Sequence, residues 1–189
     1  MDRRKGTVFI VSAPSGSGKT TLVNRVLAHF QGFSFSISAT TRPARDYEKD
    51  GLHYYFISEP EFRARVAAGE FLEWEEVYPG RLYGTLKVEV ERILAAGNHP
   101  IFDVDVEGGL NIKKYYGEAA VSIFISPPSI EVLEQRLRHR DSESEEEILR
   151  RVGKASREMT YRDRFDYVVV NDDLESATSA LFEIVQNHI

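Results

Sequence analysis

Residues 7–27 read TVFIVSAPSGSGKTTLVNRVL, and this stretch decides the fold. Thr7 to Ser12 is a run of β-branched and aromatic residues ended by a turn, which predicts a buried strand. Ala13, Pro14, Ser15, Gly16, Ser17 and Gly18 form a loop, and Lys19 to Phe30 carries Leu22, Val23, Val26, Leu27 and Phe30 on one helical face. Glycines let a loop curl so that successive backbone N–H groups point at anionic oxygens, and the following helix N-terminus adds its partial positive charge. Lys19 then reaches the β- and γ-phosphates of a nucleoside triphosphate, with the Thr20 hydroxyl toward a Mg2+ ion. The usual spacing is G-x-x-x-x-G-K-[ST], and Ala13 stands here at the first glycine. That position mainly shapes the turn, so the phosphate cradle survives the change. A plain Gly/Ser turn with an exposed lysine would not account for the strand before, the helix after and the Lys-Thr pair in register.

Outward from this stretch, the apolar runs Pro100 to Val106, Ala119 to Ile125 and Tyr167 to Val170 predict further strands. Helices are expected over Leu86 to Ala96, Ile130 to His139, Ser142 to Glu158 and Leu174 to Asn187, with Ser142 and Glu145 spaced as a capping box. Apolar strands alternating with helices imply an α/β fold with a parallel sheet covered on both faces. Residues 34–85 break the rhythm. Phe33 to Ala39 alternates apolar and serine positions as a half-buried strand, His53 to Ile57 and Phe71 to Val77 are more polar strands, and Glu59 to Ala68 is a short helix between them. Trp74, Phe71 and Leu72 are expected in the core of that lobe. The resulting division is a core of 1–33, 86–135 and 158–189, a small mixed lobe of 34–85 and a charged helical lid of 136–157.

The chain has 189 residues, 42% hydrophobic and 29% charged, the balance of an ordinary globular domain. It has no cysteine, which excludes disulfides and thiolate metal sites. Its formal net charge of -6 argues against non-specific nucleic-acid binding, though a local cluster of arginines can still hold phosphates. No apolar run approaches the roughly 20 residues of a membrane span. The basic tip Met1 to Lys5 precedes too short an apolar stretch for a signal peptide. A cytoplasmic protein is expected.

Further motifs lie in one order along the chain: Ser38-Ala-Thr-Thr-Arg42-Pro-Ala-Arg45, Gly69-Glu-Phe-Leu-Glu73-Trp74, Tyr83-Gly84-Thr85, the D-x-D pair Asp103 and Asp105, the arginines after residue 135, and Asn171-Asp-Asp-Leu174. Together with the loop, the chain closely resembles guanylate kinase over nearly its whole length. The resemblance implies a P-loop NTPase fold, ATP and GMP as substrates, Mg2+ with ATP, and GDP and ADP as products, in purine nucleotide metabolism. It implies that residues Ala13 to Thr21 hold ATP phosphates and that Asn171 touches adenine. It assigns the GMP base to Ser38, Glu73, Thr85 and Asp105, and the GMP phosphate to Arg42, Arg45, Tyr54 and Tyr83. Asp103 joins Thr20 in the Mg2+ shell, directly or through water. Lys19, Arg42 and the lid arginines Arg136, Arg140 and Arg151 stabilise the transferring group. Two positions depart from the family pattern: Glu107, where glutamine is frequent, and Asp141, where glycine is usual.

The chemistry agrees with the resemblance. Guanine presents N1–H and the 2-amino group on one edge, and a carboxylate accepts both. Adenine offers a lone pair at N1 and no 2-amino group, so Glu73 would reject it. Arginine forks and phenolic hydroxyls suit phosphate oxygens. Two other readings remain at this stage. One is a non-catalytic scaffold module of the same fold, against which the intact Gly16-Ser-Gly-Lys-Thr20 and the lack of attached adaptor modules count. The other is a related kinase with a different acceptor, against which Glu73 and the Arg42/Arg45 pair count. Asn171 to Asp173 also reads as an ordinary N-cap for the last helix.

Overall fold

The computed structural model describes residues 6–139 and 144–189. The basic tip, Arg140 and Asp141, and the expected cap at Ser142, lie outside the described residues. The chain divides into two compact units. One comprises Thr7–Phe33 and Ile101–Ile189, and the other Gly6 and Ser34–Pro100.

The first unit is built on the glycine-loop strand. In chain order the strands are β1 (Val8–Ser12), β2 (Phe33–Phe35), β3 (Ala39–Thr40), β4 (Tyr55–Phe56), β5 (Phe71–Tyr78), β6 (Arg81–Leu86), β7 (His99–Val104), β8 (Ala120–Ser126) and β9 (Tyr167–Val170). The helices are α1 (Lys19–His29), α2 (Glu59–Ala67), α3 (Lys87–Ala95), α4 (Val106–Tyr116), α5 (Ile130–Arg138), α6 (Glu145–Met159) and α7 (Leu174–Gln186). A five-stranded sheet runs β2-β7-β1-β8-β9, and the β7–β1, β1–β8 and β8–β9 pairings are parallel. Every residue of β1 and β8 is buried, as a sheet covered on both faces requires. Phe9, Val11, Ile123 and Ile125 pack with Leu22 and Val26 of α1 and Leu181 and Val185 of α7. Phe124, which alternates to the other face, packs with Val106 of α4 and with Phe165. Gly109 lets α4 close on β1, since a Cβ there would lie 2.3 Å from Ser12 Oγ.

The second unit carries a four-stranded sheet in the order β4-β3-β6-β5. The predicted single strand from Phe33 to Ala39 is in fact two, β2 and β3, belonging to different sheets. The alternation correctly marked extended chain, but pairing is decided by partners far away in sequence. Ser58 caps α2 by accepting from the Glu61 N–H, and the Phe62 ring of that helix stacks on Phe71 at 4.3 Å. Phe71 is core as expected; Trp74 is not, being 44% exposed. An irregularity in β5 separates the two residues. Phe71 pairs with Leu86 and Glu73 with Thr85, so two steps on β5 match one on β6. Such a bulge reverses the alternation, turning Glu73 to the face of Thr85 and keeping Trp74 on the face of Phe71, where its ring lies 6.5 Å from that of Phe62.

Candidate active site

In the first unit, the left-handed turn of the loop rests on Gly16 (φ 93°) and Gly18 (φ 85°), a conformation that residues with a Cβ rarely adopt. Gly18 is also the residue from which α1 starts. Ala13, Pro14, Ser15, Gly16, Ser17, Gly18, Lys19, Thr20 and Thr21 all line one cavity of about 370 Å3, together with Asp105, Lys154 and Glu158. Lys154 and Glu158, on α6, escaped the sequence reading, because only folding brings that helix to the loop. Lys19 Nζ lies 2.7 Å from Asp103 Oδ1 and also donates to the Val104 carbonyl. Thr20 Oγ1 donates to Asp103 Oδ2 at 2.8 Å. Asp103 therefore sits at the C-terminal end of β7 with both oxygens turned to the loop residues, where ligands of α/β sheets gather. Asp105 caps α4, accepting from the Gly108 N–H at 2.9 Å. Glu107 is exposed in the first turn of α4, where a helix favours negative charge.

Asn171 is buried just past β9, and Asp173, not Asn171, caps α7 by accepting from the Ser176 N–H. The Asn171 amide donates to the Ser17 carbonyl at 2.7 Å. Arg136 donates to the Asn171 carbonyl at 2.8 Å and to the Asp172 carbonyl at 3.2 Å. Leu133 and Leu137 of α5 pack with Ala155 of α6, and Arg138 joins the two helices through Glu134 and Glu145. The α6 capping box forms on Ser144 and Glu147, two residues beyond the predicted Ser142 and Glu145. Both spacings satisfy the S-x-x-E pattern, and burial of Ile148 and Ala155 accompanies the later start. Arg151, half-buried, lies on this helix.

In the second unit, the bulge in β5 brings Glu73 beside Thr85, whose hydroxyl donates to Glu73 Oε1 at 2.6 Å. Thr85 is buried and Ser38 half-buried, the Ser38 carbonyl accepting from the Tyr55 N–H. Gly84 permits the close pairing, because a Cβ there would meet the Glu73 carbonyl at 2.7 Å. Tyr54 and Tyr55 diverge as neighbours in an extended chain do. Tyr55 donates to the buried Glu89 at 2.8 Å, whereas the Tyr54 ring lies under the Arg42 guanidinium at 4.9 Å and 6.1 Å from the Tyr83 ring. Burial, first, raises the Tyr54 phenol above its ordinary range, against the pull of Arg42.

The sequence reading missed Glu48. Both its oxygens accept from Arg42 at 2.6 Å, and it also accepts from the Arg45 N–H at 2.8 Å. The Arg42 hydrogen bonds lower the Glu48 carboxyl to about 2, and the Glu48 hydrogen bonds raise Arg42. Arg45 itself is exposed, its guanidinium donating to the Tyr47 hydroxyl. An acidic residue three positions after Arg45 was the available signal, but loop carboxylates are usually solvated.

Parallel strands, a glycine loop that opens a helix, and a lysine and threonine facing a strand-end aspartate define a P-loop α/β phosphate-binding protein. The comparisons narrow the class. A family model described as guanylate kinase matches residues 5–188. A guanylate kinase of Bacteroides fragilis is 52% identical over 182 residues, 96% of this chain and 89% of the relative. One from Thermotoga maritima is 44% identical over 183 residues, 97% and 87% of the two chains. The crystal structure of guanylate kinase from Anaplasma phagocytophilum superposes with a TM-score of 0.74 at 31% identity, covering 97% of this chain and 86% of that one. The chain belongs to the guanylate kinase family.

Proposed function

We propose that the chain transfers the γ-phosphoryl group of ATP to GMP, giving ADP and GDP. The observation that carries the acceptor is the Glu73–Thr85 pair. It fixes one carboxylate oxygen and aims an anionic acceptor at a base edge with two adjacent donors, which guanine has and adenine lacks. Arg42, Arg45, Tyr54 and Tyr83 hold the GMP phosphate, with Ser38 and Asp105 completing base recognition. Residues 13–21 hold the ATP phosphates, with Lys19 neutralising the β- and γ-oxygens. Two segments take separate roles: 34–85 takes the acceptor, and 136–157, with Arg136, Arg140 and Arg151, closes over the donor.

The acceptor is already an anionic phosphate, so no protein nucleophile is needed. Its oxygen attacks the γ-phosphorus as the bond to the ADP oxygen breaks, and charge spreads over the transferring oxygens. Cations that converge there and exclude water accelerate transfer and suppress hydrolysis. Thr20 and Asp103 fit Mg2+, because a hydroxyl and a carboxylate are hard oxygen donors within 2.8 Å of one another. Mg2+ that bridges few protein oxygens is commonly carried on nucleotide phosphates. That ion supplies charge neutralisation at the β- and γ-oxygens. We assign the reaction to the cytoplasm, where both nucleotides are available; no described helix is long and apolar enough to cross a membrane.

The test is ADP formation from ATP and Mg2+ with GMP, AMP, UMP and CMP in turn. Turnover with GMP alone is expected. A folded protein that turns over none of the four, or prefers another, overturns the assignment.

A further inference from the structure

The loop that is proposed to hold the ATP phosphates is not held in shape by its own residues alone. The Ser17 hydroxyl is buried with no hydrogen-bond partner among the described residues, so the serine side chain does not secure the turn. The Ser17 N–H donates to the Pro14 carbonyl at 3.2 Å, and the Ser17 carbonyl accepts from Asn171 Nδ2 at 2.7 Å. Asn171 is 6% exposed and is not among the residues that line the loop cavity. A peptide unit is planar and trans, so the Ser17 carbonyl and the Gly18 N–H point in opposite directions. Pulling the carbonyl back to Asn171 turns the Gly18 N–H the other way, toward the cavity that Gly18 lines. A flipped peptide would instead present a carbonyl lone pair to an anion.

Two further features tie the asparagine to this peptide. A Cβ on Gly18 would lie 2.4 Å from Asn171 Nδ2, so the glycine is needed for the approach of the amide as well as for its φ of 85°. The backbone of Asn171 is itself held, by its N–H to the Ser126 carbonyl at 2.8 Å and by Arg136 on its carbonyl.

We infer that Asn171 is a positioning residue, whose side-chain amide orients the Ser17–Gly18 peptide so that the Gly18 N–H serves as a phosphate donor. The inference rests on the phosphate-loop assignment and concerns the amide nitrogen of this side chain. Only a donor can face the Ser17 carbonyl, so the amide orientation is set by chemistry.

Calorimetry with inorganic tripolyphosphate, ATP and ITP, each with Mg2+, tests it on the wild type, Asn171→Ala and Lys19→Met. Loss of one buried hydrogen bond that orients a donor should weaken tripolyphosphate and ATP by the same factor, about tenfold, in Asn171→Ala. The ratio of ATP to ITP affinity should stay unchanged. An unchanged tripolyphosphate affinity with a lost preference for adenine would overturn the inference in favour of a base contact. An unchanged affinity for all three ligands would overturn it as well. If Lys19→Met also leaves tripolyphosphate binding intact, the phosphate-loop assignment itself fails; if only Lys19→Met loses it, the assignment stands and the role of Asn171 falls. A double-mutant cycle of Gly18→Ala and Asn171→Ala, read by urea unfolding, covers a poorly folded single variant. The added methyl already displaces the amide, so the two changes should be less than additive, and strict additivity contradicts the inference.

Discussion

Glu73→Gln is the substitution that most directly interrogates base recognition. In the wild type one carboxylate oxygen accepts from Thr85 at 2.6 Å, and the carboxylate retains lone pairs on both oxygens for guanine N1–H and the 2-amino group. Glutamine keeps the shape but replaces one acceptor by a donor. Whichever way its amide is turned, one N–H faces an N–H of guanine. The loss is one charge-assisted hydrogen bond, roughly 1.5–3 kcal/mol. That converts to a fall of about 10- to 150-fold in kcat/KM for GMP. The base is bound alike in ground and transition states, so the change should fall on KM for GMP, with KM for ATP unmoved. The new donor also suits the adenine N1 lone pair, so AMP turnover should rise from background. Steady-state assays with both acceptors, alongside a thermal melt, provide the measurement. A kcat/KM for GMP within twofold of wild type, in folded protein, refutes the assignment of Glu73 to guanine.

Other consequences are equally open to measurement. Lys19→Met should lower kcat by roughly 10²- to 10³-fold, as expected on removing one charge that stabilises the transferring group; a change confined to KM would mean that Lys19 only binds. Glu48 contributes stability that is complete above its ordinary carboxyl value of 4.5 and is lost as the pH falls toward about 2, because its folded value is depressed. Urea unfolding of wild type and Glu48→Gln should therefore show a gap that is constant above the ordinary carboxyl value and narrows as the pH falls from there toward about 2; a pH-independent gap would contradict the Arg42–Glu48 pairing. Gly84→Ala should destabilise by about 1–3 kcal/mol through overpacking against β5 and should raise KM for GMP by shifting Glu73. A thermal melt no lower than wild type would show that β5 yields without cost.

The donor half of the site was legible because it is local. Strand, loop, lysine and helix follow one another between Thr7 and Phe30, and hydrophobic period and glycine placement suffice to read them. The features that escaped depend on partners distant in sequence, or on a choice between equivalent local patterns. Nothing between Phe71 and Tyr78 announces the bulge that sets Glu73 against Thr85. Ser142 and Ser144 both offer a capping box, and which is used depends on how α6 packs. Glu48 looked like any loop carboxylate until Arg42 was seen to lie across it. The cap reading of Asn171 to Asp173 holds at Asp173, while the Asn171 side chain reaches the glycine loop.

That last connection carries a consequence for biosynthesis. Ser17 and Asn171 are 154 positions apart. On a ribosome the glycine loop emerges well before the residue inferred to turn its peptide. A nascent chain lacking β9 and the residue after it has the whole local motif and not the finished cradle. On the role inferred for Asn171, full triphosphate affinity is expected only after β9 and the residue following it have joined the sheet.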